Sequence, residues 1–310
     1  MRGVDKMKVL AFSHSMDLVL ELISAGRELG DVSLIMTSDQ EGRINEVKGA
    51  KEILLCKGMG SGDQEGLVEL ISGLAGEYEV VLLASDRRGR ELVGQVAHRL
   101  GASSAVDVSS LSVEDGKLVV ERMTFGGKAI AVEELGLPAV ISVQKGKFKP
   151  PEEGEPSVRE ISAPSVERRI EVIERKEKPK VGVPLDKAEI VVAVGRGFRK
   201  KEDLKLAYEL ADVLGGVVGA TRPIAADLKW MEEEVWIGIS GVRIAPKLLI
   251  VVGASGQQQF AAGIMDSKVV VAVNTDSKAP IFEQADYGVV MDLYEFLPVL
   301  TRKLKEIKGG

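Results

Sequence analysis

Five short, nearly continuous apolar runs recur between Glu189 and Asp292: EIVVAVG, GGVVGAT, LLIVVG, KVVVAVN and YGVVMD. Runs of this length are strands. Because they are apolar throughout rather than at alternate positions, each must be covered on both faces, as in a parallel sheet wrapped by helices. The intervening segments include the amphipathic helices EDLKLAYELADVLG and LYEFLPVLTRKLKEI, which supply that cover. The first half of the chain has the same rhythm. KVLAFSH, VSLIMTS, ILLC and VVLLAS read as strands, and MDLVLELISAGRELG, GLVELISGLAGEYE and RRGRELVGQVAHRLG as helices. The fold class is therefore α/β, with two doubly wound parallel-sheet domains.

The alternation breaks after Gly101, where SVEDGKLVVERMTFGGKAIAVEEL sets an Asp-Gly turn between polar-apolar alternations, a hairpin signature. The stretch from Lys145 to Ser165 is rich in Pro, Gly and charge and is expected to be an exposed, irregular connection. RRIEVIER reads as one more strand, and KEKPKVGVPLDKAE as the segment leading into the second domain. The expected domains are residues 1–186 and 187–310, with the boundary near Leu185.

Composition removes several function classes. Net charge is −6, and no long basic tract occurs, so neither nucleic acid nor an anionic membrane is an expected partner. No apolar run approaches membrane-spanning length, and the start lacks the apolar core of a signal peptide, which makes the cytoplasm the expected location. Cys56 is the only cysteine, and His14 and His98 the only histidines. That leaves no internal disulfide, no Cys- or His-rich metal centre and little room for a Ser-His-Asp arrangement. No P-loop signature is present.

In open parallel sheets ligands bind beyond the carboxyl ends of the strands. Here the five ends carry Gly195-Arg196-Gly197, Thr221-Arg222, Gly253-Ala254-Ser255-Gly256, Asn274 and Asp292. GASGQQQFAAG follows a buried strand and opens a helix, so its small residues let backbone approach a pyrophosphate while free N–H groups receive it. Strand ends are often polar and glycine-rich without any ligand, and Asp292 can equally serve as the N-cap of the last helix. Arg222 is either a solvated turn residue or, in a cleft holding a flavin, a fixed charge that stabilises the anionic reduced ring and raises its potential. Arg196 has the same two readings. The Gly238-Ile239-Ser240-Gly241 turn can bring the Ser240 hydroxyl to a ring nitrogen. Trp230 and Trp236 are read as packing residues.

These motifs, in this order, resemble the electron-transfer flavoprotein alpha subunit family over nearly the whole chain. The resemblance is carried by GRGFRKKEDLKLAYELADVLGGVVGATR and APKLLIVVGASGQQQFAAGIMDSKVVVAVNTDSKAPIFEQADYGVVMDL. It runs more loosely through ASDRRGRELVGQVAHRLG, VDVSSLSVEDGKLVVERMTFGGKAIA and KGKFKPP. It implies an alpha subunit paired with a beta subunit, with FAD in a Rossmann-like C-terminal domain. Such a chain is an electron carrier rather than an enzyme. It takes electrons from dehydrogenases, commonly acyl-CoA dehydrogenases, and passes them to a membrane-associated or soluble acceptor. Some relatives take part in flavin-based electron bifurcation. The positions matching FAD contacts are Arg196, Thr221, Arg222, Ser240, Ser255, Gly256, Gln259, Asn274, Asp292 and Leu293. Ile237, Gly238, Ile239, Gln257, Gln258 and Phe260 complete the candidate site.

Three departures from the family pattern stand out. Phe260 occupies the place of a histidine that holds negative charge at the flavin's carbonyl edge, and Phe cannot donate a hydrogen bond. Ile239 replaces a glutamine. The stretch after Arg222, PIAADLKW, is one residue longer than usual. A non-redox scaffold or nucleotide-binding subunit that has lost flavin function is the alternative reading. An NAD enzyme is disfavoured by the missing GxGxxG and its acidic ribose partner.

Overall fold

The computed structural model describes residues 6–170, 173–174 and 184–308. The chain forms two compact units, Met1–Glu174 and Arg175–Gly310. That division falls earlier than the boundary expected at 186, and residues 175–183, which carry most of the expected connecting segment, lie outside the described residues.

In the first unit β1 (Met7–Phe12), β2 (Gly30–Thr37), β3 (Glu52–Lys57) and β4 (Val80–Ala84) are linked through α1 (Val19–Leu29), α2 (Gln64–Leu74) and α3 (Arg87–Leu100). After them come β5 (Ser103–Glu114), β6 (Lys117–Thr124), β7 (Ala129–Leu135), β8 (Ala139–Val143) and β9 (Ser157–Ser162). The sheet order is β7-β6-β5-β8-β4-β1-β2-β3-β9. All neighbours are parallel except β5–β6 and β6–β7, which form an antiparallel edge. The two-residue repeat of a strand divides β1 between two cores. Val9 and Ala11 face α1, whereas Leu10 and Phe12 pack with Leu67 and Ile71 of α2 and Leu92 and Val96 of α3.

The expected hairpin is β5–β6. Asp115 and Gly116 turn it with φ of 49° and 79°, the pair of positive values that matches strand twist in a two-residue turn. The expected irregular connection needs a correction, because Ser157–Ser162 within it is β9, paired in parallel with β3 at the sheet edge. Prolines and charges surround it, and only Ile161 of its six residues is even half-buried, so neither composition nor alternation marks it. In the expected strand RRIEVIER, residues 168–170 are not in a strand, and 171, 172 and 175 lie outside the described residues.

The second unit contains β10 (Ile190–Val194), α4 (Lys205–Leu214), β11 (Val217–Ala220), β12 (Leu248–Val252), α5 (Gln258–Ile264), β13 (Val270–Asn274), β14 (Tyr287–Val290) and α6 (Leu293–Lys308). All five strands are parallel, in the order β11-β10-β12-β13-β14. Alternate residues of β10 and β12 again feed two cores. Val191, Ala193, Leu249 and Val251 pack with Phe260 and Ile264 of α5, and Val192, Val194, Ile250 and Val252 pack with α4 and α6. From β10 the chain turns to β11 on one side and then to β12 on the other. The loops leaving β10 and β12 therefore part company, opening a crevice at the carboxyl edge.

Candidate functional site

The floor of this crevice is backbone against backbone. Gly195 N–H donates to Val252 O at 2.9 Å, and Gly197 N–H donates to Gly253 O at 2.8 Å. A Cβ on Gly195 would lie 2.5 Å from Ala254 Cα, and one on Gly197 would lie 2.7 Å from Gly253 Cα. No other residue type allows two loops to close this far. Arg196, between the two glycines, projects into solvent with no side-chain partner among the described residues.

The loop after β12 is held from two further directions. Asn274, at the end of β13, donates from Nδ2 to Ala254 O at 2.9 Å and accepts Asp276 N–H on Oδ1 at 3.0 Å. Ile281 N–H donates to Ser255 O at 3.0 Å. Gly256 has φ +77°, and a Cβ there would be 2.5 Å from Ile281 N. The chain then enters α5, where Gln257 O accepts from Phe260 N–H and Ala261 N–H at 2.9 Å each. The side chains of Ser255, Gln257, Gln258 and Gln259 are exposed. Phe260 is 6% exposed and belongs to the apolar core with Ile237, Ala254 and Ile264. Its side chain serves packing, so the position that the resemblance assigns to a flavin contact is here part of the core.

The 238–241 turn is pressed onto α5. Ile239 N–H donates to Gln259 O at 3.0 Å, and a Cβ on Gly263 would lie 2.7 Å from Gly238 Cα. Ile237 is buried, while Ile239 and Ser240 face outward. At the end of β11, Thr221 N–H donates to Val194 O at 2.9 Å. The Thr221 hydroxyl is buried with no hydrogen-bond partner among the described residues. Arg222 turns outward, its guanidinium 5.5 Å from the centre of the Trp236 ring and its Nε 4.0 Å from Asp227 Oδ1. Trp236 thus does more than pack, since a cation rests on its face. The stretch after Arg222 forms a single π-helical turn, Pro223–Asp227. Lys229 beyond it sits at φ +52°, a left-handed conformation that non-glycine residues seldom adopt.

The last strand end also reaches the crevice. Leu293 is buried, and its Cδ2 lies 3.0 Å from where a Gly253 Cβ would be. Asp292 just before it accepts Tyr294 N–H on Oδ1 at 2.8 Å, the N-cap role allowed from sequence, and pairs through Oδ2 with Arg199 at 3.2 Å. Arg199 and Tyr294 were not among the residues expected at the site. Arg199 lies in a basic run indistinguishable from a solvated surface. Burial, reinforced by the Asp203 carboxylate, raises the Tyr294 phenol above its ordinary range.

All sixteen sequence-derived positions therefore lie on the strand-end loops and helix starts at the carboxyl edge of this sheet, with Phe260, Ile237 and Leu293 beneath the surface as packing. A glycine floor too close for any side chain, an orphaned buried hydroxyl and arginines at 196, 199 and 222 suit an elongated, doubly charged ligand with a polar ring system. The residues present fit FAD. Elsewhere, Cys56 is buried in β3, and burial raises its thiol pKa, the opposite of what a nucleophile needs. Among the described residues, no His, Cys, Asp and Glu cluster could hold a metal, and no helix is long and apolar enough to cross a membrane.

Comparison with known proteins agrees with the geometry. Residues 14–168 match the electron transfer flavoprotein domain, and residues 184–265 match the electron transfer flavoprotein FAD-binding domain. Protein FixB of Escherichia coli O81 (strain ED1a) is 34% identical over 311 residues, covering 96% of this chain and 98% of that protein. Protein FixB of Escherichia coli (strain K12 / DH10B) gives the same identity and coverage. The fold and site define a flavin-binding electron carrier. The chain belongs to the electron-transfer flavoprotein alpha subunit family, whose members work with a beta subunit and bind FAD in the C-terminal domain.

Proposed function

We propose that this chain, paired with its beta subunit in the cytoplasm, accepts electrons from a dehydrogenase and delivers them to a downstream acceptor, membrane-associated or soluble, through FAD held at the carboxyl edge of the C-terminal sheet. The observation that carries this reading is the glycine floor at Gly195, Gly197 and Gly253, ringed by Arg196, Arg222, the Thr221 hydroxyl and Asp292. When bound, FAD supplies the redox chemistry. The protein's contribution is to bind, orient and tune it.

In this assignment the 253–257 loop and the start of α5 receive the pyrophosphate, the loop's backbone being fixed in place by the close packing of Gly253 on Gly197 and of Gly256 on Ile281. The Thr221 hydroxyl, already desolvated and unpartnered, gains a hydrogen bond on binding without further desolvation cost. Ser240 offers a second hydroxyl from the turn braced on Gln259. Arg222 carries the fixed positive charge, steadied by the Trp236 face. Charge at that position favours the electron-rich form of the ring and so raises the potential. Asn274 acts one step removed, holding the loop through Ala254 O.

The exposed apolar residues Ile130 and Val132 of edge strand β7 are the kind of surface a partner subunit covers. With the floor intact and the family established, no observation favours the non-redox scaffold alternative. The test is to mix the purified two-subunit complex with a substrate-reduced acyl-CoA dehydrogenase and follow the flavin band. Bleaching, followed by recovery when an acceptor is added, is the expected result. A flavin-loaded complex that no dehydrogenase of this class reduces would remove the proposed donor.

A further inference from the structure

The loop after β10 and the start of α6 are stitched together by side chains that the family resemblance does not name. Arg199 lies two residues past Gly197. Its backbone N–H donates to Tyr294 Oη at 2.7 Å, its Nη2 donates to Asp292 Oδ2 at 3.2 Å, and its guanidinium sits 4.8 Å from the centre of the Tyr294 ring. Tyr294 Oη in turn donates to Asp203 Oδ2 at 2.6 Å, while its backbone N–H donates to Asp292 Oδ1 at 2.8 Å. The phenol is a two-way junction, accepting from the crevice loop and donating into the turn that begins α4.

Each Asp292 oxygen thus has one partner of fixed direction and keeps room for another donor. The carboxylate plane is set by two donors, Arg199 Nη2 on one side and Tyr294 N–H on the other. Stability does not require this arrangement. α4 and α6 are already joined through Ala207, Leu210, Leu293 and Leu297. The ion pair is surface-exposed, at 72% for Arg199 and 34% for Asp292, and exposed pairs contribute little to folding. What the network does fix is the direction in which the free acceptor positions of Asp292 point.

We propose that Arg199 and Tyr294 are positioning residues for the adenosine end of FAD. They hold the Asp292 carboxylate in the orientation that receives a ribose hydroxyl or the adenine amino group, and they hold the loop carrying Arg196 beside it. This inference rests on reading the crevice as the FAD site. Asp203 belongs to the same device through the Tyr294 hydroxyl.

The test uses the two-subunit complex stripped of flavin and titrated with FAD, with the melting temperature of the flavin-free complex measured alongside. Tyr294→Phe keeps the ring and removes only the hydroxyl junction. Arg199→Ala removes the carboxylate's partner at a largely exposed position, where folding tolerates it. Each is expected to weaken FAD about tenfold, the loss of one well-placed hydrogen bond to a charged group, and to leave the flavin-free melting temperature unchanged. Arg199→Lys keeps a donor for Asp292 and should recover part of the loss. The double variant should lose little more than either single one, because both act through one carboxylate. Wild-type FAD affinity in both single variants overturns the proposal. So does a fall in flavin-free melting temperature that accounts for the loss, since that is what plain stitching gives. A wild-type complex that takes up no FAD overturns instead the reading of the crevice on which the proposal stands.

Discussion

The two units solve the same architectural problem and finish their carboxyl edges in opposite ways. In the first, the polar groups at the strand ends are spent on one another. Gln40 donates to Ser13 O at 2.8 Å and accepts from the N–H and hydroxyl of Thr37; Ser61 donates twice to Asp39; Ser85 bonds Ser142 at 2.7 Å; and Asp86 caps α3 through Gly89 N–H. In the second, glycine meets glycine at the floor, the Thr221 hydroxyl is left without a partner, and Arg196 points outward. A parallel sheet gives both units a crevice at the switch point. The difference lies in whether the loops satisfy themselves or leave their hydrogen bonds for a ligand.

The largest test of this contrast is Gly256→Ala. The new Cβ would meet Ile281 backbone at 2.5 Å, in a left-handed conformation that disfavours it. We expect about 3 kcal/mol of destabilisation in the second unit and loss of bound flavin, read by denaturant unfolding and by absorbance. Gln40→Ala is the mirror experiment in the first unit. It strips partners from buried groups of Thr37 and Ser13 and should cost about 2 kcal/mol, with flavin content unchanged. If Gln40→Ala emptied the flavin site, the contrast between closed and open edges would fail.

Thr221→Val sharpens the comparison. Replacing an unpartnered buried hydroxyl by a methyl should leave the flavin-free protein as stable as before, or up to about 1 kcal/mol more stable, while FAD binds about tenfold more weakly. Unchanged FAD affinity would mean the orphan is not a ligand group. The smallest effect concerns an exception in the first unit. His14 is largely buried, and its ring nitrogens make no hydrogen bond among the described residues. Burial lowers its pKa from the ordinary 6.5, only partly opposed by Asp86. The unfolded chain therefore binds the extra proton first. Stability is fully present above about pH 6.5 and declines as pH falls from there through the lowered folded-state value. A melting series from pH 8 to about 5 should show this slope, and His14→Phe should flatten it.

Much of the architecture was legible because it is written in periodicity. A run such as LLIVVG, apolar throughout and buried, has few other folds open to it, whereas YGVVMD, expected to be covered on both faces, forms the edge strand β14 and is largely exposed. The Asp115-Gly116 turn was legible because two consecutive positive φ values select that pair. β9 was not, since an exposed edge strand buries almost nothing and so carries no hydrophobic signature. At the site, sequence placed the strand-end residues together because topology does so. It missed what depends on side-chain direction. Phe260 turns into the core, Asn274 brackets a loop, and Arg199 reaches across to Asp292 from a basic run. The π-helical turn after Arg222 has no signature in spacing or composition.

The measurement closest to the central claim is the visible spectrum of the purified two-subunit complex, with analysis of released flavin, for wild type and Gly256→Ala together. The expected result is oxidised-flavin bands and about one FAD per C-terminal site in the wild type, with a colourless variant whose first unit remains folded. A stable wild-type complex that stays colourless when FAD is added, or a Gly256→Ala complex that holds FAD as tightly as the wild type, would contradict it.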